Sequence, residues 1–261
     1  MYFFLKLLSR LFEFIPRNVA LFFGRKMGSL FYYFIPIRKS VAIVNINLAF
    51  PNLNATQKKK LLHSTYKHFG MVLFDFLRLN QYKRNKNINL VNIPSESIKL
   101  FRENNGGILL SAHIGNWEYL GPSIGLHNIK CAGVAQVQHN SSANIFFNEL
   151  RTSKHMKVIP VDAGSKSMVK AILEGYYLGL ISDQNAGKKG TKASFFGKSV
   201  SVPKGTGIFH LKTNSPILLG FCILSPDLNY NLSFQQLSFE GLSDNTDDDD
   251  EKCVISIIQK V

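Results

Sequence analysis

A histidine and a glutamate stand five residues apart in Ile108–Leu–Leu–Ser–Ala–His113–Ile–Gly–Asn–Trp–Glu118, and an apolar run leads into the histidine. Histidine gains and loses a proton near neutral pH, and a nearby carboxylate orients it and stabilises its charged form. Along a helix five residues turn through roughly 500°, leaving the two side chains about 140° apart. On one strand they point to opposite faces. They meet only if the chain turns between them, and Gly115–Asn116 offers that turn. The run reads as a strand–turn–helix corner carrying a His113/Glu118 pair. The plainer alternative is a histidine satisfied by a backbone carbonyl and a Glu118 on a solvated helix face.

Competing motifs fit less well. Gly121-Pro-Ser123-Ile-Gly125 matches the nucleophile elbow of serine hydrolases, which needs a strand directly before the serine. Here Asn-Trp-Glu-Tyr-Leu precedes it and continues the helix that starts at the corner. Gly197-Lys198-Ser199 resembles the end of a phosphate-binding loop, but Lys192 stands where that loop needs its first glycine. The other histidines show no ligand-like spacing, so no metal and no cofactor are expected. Asp183 ends the apolar run before Gln184 and Asn185, and an acid at such a place is seldom idle. Arg151 falls late in an expected helix, where a solvated arginine is the ordinary reading. The Gly187–Lys–Lys–Gly190 loop with Lys192 is cationic and suited to phosphate, though such loops also simply face water. Asp247–Glu251 reads as a solvated acidic loop.

The elements that must position these residues alternate. Strands are expected at Ile108–Ala112, Lys130–Val137, Val158–Val161, Leu178–Ser182 and Pro216–Ile223, with a Gly/Lys-rich loop leading to Ala193–Phe196. Helices are expected at Ala55–Leu79 (capped by Thr56), Trp117–Leu126, Ser142–Lys154, Ser165–Glu174 and Thr206–Thr213. Gln81–Asn89 reads as a surface loop. This alternation implies an α/β fold with a mostly parallel central sheet flanked by helices. Ligands of such sheets bind beyond the carboxyl ends of the strands, where His113 and Asp183 both fall, so one crevice can hold both.

Composition adds a partner class. The 261 residues suffice for one well-cored domain with an appended segment, and 45% are apolar. Residues 1–100 hold 16 basic and 3 acidic side chains, so +13 of the total +14 lies there. A basic, aromatic-rich segment suits nucleic acid or an anionic membrane, and the first forty residues favour membrane. Met1–Ile15 and Val19–Ile37 are dense in Phe, Leu, Tyr and Ile, yet Lys6, Arg10, Glu13, Arg17, Arg25 and Lys26 interrupt them. No stretch reaches the roughly 18–20 apolar residues of a spanning helix. Helices lying in the membrane interface fit better than a single tilted span or an ordinary core pair. The expected division is a membrane-associated helical segment, 1–40, and a catalytic domain, 41–261. A signal peptide is not expected. Three scattered cysteines, 131, 222 and 253, suit a reducing compartment without disulfides.

Taken together, His113-Ile-Gly-Asn-Trp-Glu118, Arg151, Ser182-Asp-Gln-Asn185, Phe195-Phe-Gly197 and Pro203-x-Gly205 resemble the lipid A biosynthesis late acyltransferases of the glycerophosphate acyltransferase superfamily. The apolar lead-in and Asn45-x-Asn47-Leu48-x-x-x-Pro51 resemble them too. The resemblance covers roughly residues 10–225. It implies that His113 is the general base for a substrate hydroxyl and that Glu118 holds the imidazole. It further implies direct acyl transfer from an acyl carrier protein or coenzyme A thioester to an anionic glycolipid, at the cytoplasmic face of the inner membrane.

Gly115, Asn116 and Arg151 are the candidate oxyanion donors, and Asp183 is given a supporting part. Gln184, Phe195, Phe196, Gly197, Lys198 and Pro203 are expected to contact substrate. The chain departs from the family where Asn185 replaces a common acid. It also stops at Val261, soon after a further helix would begin, so the carboxyl end is expected to be short or truncated. A non-catalytic lipid-binding protein and a Ser123 hydrolase are the other readings. A lipid binder keeps its function when His113 or Glu118 becomes alanine, and a hydrolase loses activity with Ser123 instead.

Overall fold

A computed structural model describes residues 1–35, 37–85 and 89–238. The chain divides into two compact units, Met1–Gln81 with Phe196–Lys198, and Tyr82–Phe195 with Ser199–Val261.

The first unit is helical: α1 (Tyr2–Phe14), α2 (Arg17–Phe34), α3 (Lys39–Ala49) and α4 (Ala55–Leu77). Pro16 separates α1 from α2, because the residue before a proline is pushed out of the helical region; Ile15 is extended. The cap of α4 is Asn54 rather than the expected Thr56. Asn54 Oδ1 accepts from the Gln57 amide and Gln57 Oε1 from the Asn54 amide, both at 2.9 Å. This reciprocal box leaves Thr56 inside the first turn. Helices α2 and α4 cross at backbone distance. A Cβ on Gly24 would lie 2.6 Å from the Gly70 carbonyl oxygen, and one on Gly28 or Gly70 would overlap the facing main chain.

A buried carboxylate is paired in this unit. Asp75, at 0% exposure, accepts from Arg17 Nε at 2.9 Å and Nη2 at 2.6 Å. Arg78 donates to the carbonyls of Phe12 and Ile15, tying down the end of α1. Outward, α1 exposes Phe3, Phe4, Leu7, Leu11 and Phe14, and α3 exposes Val41, Val44 and Leu48. Among the described residues no helix is long and apolar enough to cross a membrane.

The second unit is the α/β body. Its seven-stranded sheet has the order β1-β9-β8-β2-β5-β3-β4. The strands are β1 (Val91–Asn92), β2 (Gly107–Ser111), β3 (Cys131–Ala135), β4 (Met156–Pro160), β5 (Tyr177–Ile181), β8 (Ile217–Leu224) and β9 (Tyr230–Leu237); β6 (Thr191–Phe195) and β7 (Lys198–Val202) form a separate pair. From β8 to β4 the sheet is parallel, as expected. β9 runs antiparallel to β8. β2 is buried on both faces along its whole length, which is why it reads as an unbroken apolar run.

Helices cover both faces. Met168, Ala171 and Ile172 of α9 (Gly164–Leu173) and Phe209 of α10 (Gly205–Thr213) pack with Ile108, Leu110, Ala132 and Leu178. On the other face α7 (Leu120–Leu126) approaches so closely that a Cβ on Gly121 would meet the Met156 sulfur at 2.6 Å.

Four of the described strands, β1, β6, β7 and β9, lie outside the expected set. The helix expected from Trp117 opens as one 3-10 turn, Trp117–Tyr119, before α7. The expected loop 81–89 begins as the end of a six-residue helix, α5 (Leu79–Arg84), whose Leu79 and Tyr82 are buried. Residues 86–88, the acidic run 247–251 and Cys253 lie outside the described residues.

Candidate active site

Strand register brings the central pair together. Ser111 of β2 stands opposite Ile181 of β5, and the Ser182 amide donates to the Ser111 carbonyl at 3.0 Å, carrying the ladder one step further. One more residue on each strand gives His113 and Asp183. The His113 amide donates to Asp183 Oδ2 at 2.9 Å, and His113 Nδ1 lies 2.7 Å from Asp183 Oδ1. Their side chains are 30% and 33% exposed, so the pair opens to solvent at the carboxyl ends of these two central strands.

The protonation states follow. Burial raises the Asp183 carboxyl, but the hydrogen bonds from the His113 ring and amide and the histidine's charge outweigh it, and the net shift is downward. Asp183 is therefore a carboxylate at neutral pH and can only accept. His113 Nδ1 must then carry the proton of the shared bond, and in neutral imidazole the lone pair falls on Nε2. The Trp117 ring stands edge-on to the imidazole, 4.7 Å between centroids, and fixes its tilt.

Here the expected pairing is corrected. Glu118 does not hold the imidazole; its carboxylate is forked by Arg151, with Nε to Oε2 at 2.8 Å and Nη2 to Oε1 at 2.5 Å. The turn lets His113 and Glu118 leave the corner in different directions, and each finds a partner on another element. Arg151 ends α8 (Ser141–Arg151), whose last carbonyls are capped by Lys83: Nζ donates to Leu150 at 2.7 Å and Thr152 at 2.9 Å. No local signal in the sequence ties Lys83 to α8, 66 or more residues away.

The turn itself is built as expected. Gly115 has φ +63°, and a Cβ there would overlap the Cys222 carbonyl oxygen of β8. The Asn116 amide donates to that oxygen at 2.8 Å, which withdraws it from the expected oxyanion role. The Arg151 fork on Glu118 likewise commits its guanidinium to a carboxylate.

The remaining candidates scatter. Gln184 is exposed beside Asp183, and Pro203 is half-buried just ahead of α10. Phe195 closes β6 in the second unit. Phe196 and Gly197, with φ +49° and +68°, form the β6–β7 turn and belong with Lys198 to the first unit, where Phe196 meets Phe50 edge-on at 5.5 Å. Ser123 is 0% exposed on α7, its hydroxyl accepting from Tyr82 Oη at 3.1 Å. A nucleophile elbow is thereby ruled out.

Comparison with known proteins matches the family model of the bacterial lipid A biosynthesis acyltransferases over residues 1–260. A lipid A biosynthesis palmitoleoyltransferase of Escherichia coli (strain K12) is 22% identical over 246 residues, spanning 87% of this chain and 75% of that protein. A lipid A biosynthesis acyltransferase of Shigella flexneri is similar to the same extent. With the His113 motif seated at the strand ends and a match that runs almost from end to end, this chain belongs to the bacterial lipid A biosynthesis acyltransferase family.

Proposed function

We propose that this chain moves a fatty acyl group from an acyl carrier protein or coenzyme A thioester to a hydroxyl of a lipid A precursor, with His113 as general base. The observation that carries this reading is the two-bond grip of Asp183 on His113, which presents a basic Nε2 at the carboxyl end of the central strands. In the reaction Nε2 takes the proton of the acceptor hydroxyl as its oxygen bonds to the thioester carbonyl. The tetrahedral adduct collapses, the carbon–sulfur bond breaks, and the imidazolium returns the proton to the leaving thiolate. Asp183 keeps the ring in register and stabilises the imidazolium. Glu118, forked by Arg151, holds the far end of the corner. Gly115, Gln184, Phe195, Phe196, Gly197, Lys198 and Pro203 are assigned to substrate contact on the strength of the family motifs.

The same reading places the protein on the cytoplasmic face of an inner membrane. The exposed apolar residues of α1, α2 and α3, with Lys6 and Arg10 on α1 and Arg25 and Lys26 on α2, support docking into an anionic interface rather than a span. A basic protein also meets an anionic glycolipid and an acidic carrier protein faster.

The test is mass spectrometry of lipid A species in cells making wild type or His113→Ala. Wild type is expected to add one acyl chain to the acceptor, and the variant to lose this by about 10²–10⁴-fold. Identical lipid profiles would reject acyl transfer by this site and favour a lipid-binding protein without catalysis.

A further inference from the structure

The geometry points to Tyr230 as a positioning residue for acyl transfer, a clamp that fixes the His113–Glu118 corner from beneath. This rests on the acyltransferase reading above. Tyr230 opens β9, is 1% exposed, and touches the corner on both sides of Glu118. Before it, the Tyr230 hydroxyl accepts from Asn116 Nδ2 at 2.9 Å. After it, the Tyr230 ring lies tilted against Tyr119, 5.3 Å between centroids. Trp117 and Glu118, held between these contacts, are the residues that meet the imidazole edge and the Arg151 fork.

The anchor of the clamp is rigid. The Tyr230 amide donates to the Leu90 carbonyl at 2.8 Å, and β9 pairs with β8 from Tyr230 to Leu237. β8 also supplies the Cys222 carbonyl that receives the Asn116 amide. Asn116 is thus held by main chain and side chain from two adjacent strands.

A second observation separates positioning from plain stability. Asn116 is 0% exposed, yet its Oδ1 has no hydrogen-bond partner among the described residues. A buried amide left half satisfied costs stability that a nonpolar side chain would not. Retaining it for the one bond to Tyr230 makes sense where the position of the backbone matters more than the strength of the core. Displacement of a reacting group by a fraction of an ångström lowers turnover without abolishing substrate binding.

The neighbouring Tyr82 provides the control. It is buried too and its ring also lies tilted against Tyr119, 5.0 Å between centroids, but its hydroxyl donates to Ser123 Oγ instead of bonding Asn116. Full-length Tyr230→Phe and Tyr82→Phe, each lacking one hydroxyl, are compared with wild type, Asn116→Ala and His113→Ala in steady-state acyl transfer. Tyr230→Phe is expected to lose about tenfold in kcat with KM for the thioester within about twofold, whereas Tyr82→Phe keeps its kcat. Tyr230→Phe/Asn116→Ala is expected to be no slower than Asn116→Ala alone, since both remove one bond.

Wild-type kcat in Tyr230→Phe, or an equal loss in Tyr82→Phe, overturns the clamp. If Tyr230→Phe does not fold, wild-type kcat in Asn116→Ala overturns it equally. Acyl transfer by wild type that His113→Ala does not reduce would instead overturn His113 as the base, and no acyl transfer by wild type would overturn the underlying acyltransferase reading.

Discussion

Asp183 accepts from a main-chain amide and a ring nitrogen at once, and this makes its amide analogue informative. In Asp183→Asn the amide oxygen must face the His113 N–H, which can only donate. The new NH2 then faces Nδ1 and forces it to accept, which moves the ring proton to Nε2 and removes the base. Turnover is expected to fall about a thousandfold, by analogy with histidine sites whose carboxylate is neutralised, and 15N NMR should show the protonated His113 nitrogen exchanged. Retention of the wild-type tautomer would contradict the assignment.

The same carboxylate has a pH signature. Its folded-state pKa is depressed below the ordinary 3.8, so its contribution to stability is present above that value and lost as pH falls through the folded pKa. Urea midpoints of wild type and Asp183→Asn should differ at neutral pH and converge as pH falls below about 4. His113 and Asp183 are both legible in the sequence as strand-end residues of one crevice. Their direct bond is not, because a turn at Gly115 permits His113 to meet Glu118 without selecting it. The selection is made by β2–β5 register, across 70 residues of sequence separation.

The elements divide by how their signal is written. Central strands such as β2 announce themselves because burial on both faces demands an unbroken apolar run. β9 escapes because its buried residues, Tyr230, Leu232, Phe234 and Leu237, are separated by exposed polar ones. α5 escapes because it is short and polar, held by Leu79 and Tyr82 rather than by propensity. Helix packing in the first unit depends on a charge pair that spacing does not reveal, Arg17 with Asp75. Arg17→Ala should destabilise by about 3–5 kcal/mol because a buried carboxylate loses its two-bond cationic partner, whereas Arg17→Met/Asp75→Leu should cost far less. Chemical denaturation of the two variants tests this ordering.

Across the whole molecule, the net charge of +14 and the outward Phe and Leu residues of the helical unit serve one proposed partner, an anionic bilayer. Replacing the exposed Arg10 and Lys26 by Gln should weaken binding to phosphatidylglycerol vesicles by about 2 kcal/mol, roughly thirtyfold, with the wild-type difference shrinking in high salt. Co-sedimentation measures it, and equal binding by both proteins would refute the interfacial docking. The α2–α4 crossing acquires its meaning in this setting. A contact made of glycine against backbone draws its strength from close atomic approach rather than from expelling water. Such a joint does not depend on the solvent, so the helix pair can keep one geometry in cytosol, detergent and lipid alike, while Phe22, Phe23 and Leu30 of α2 stay exposed.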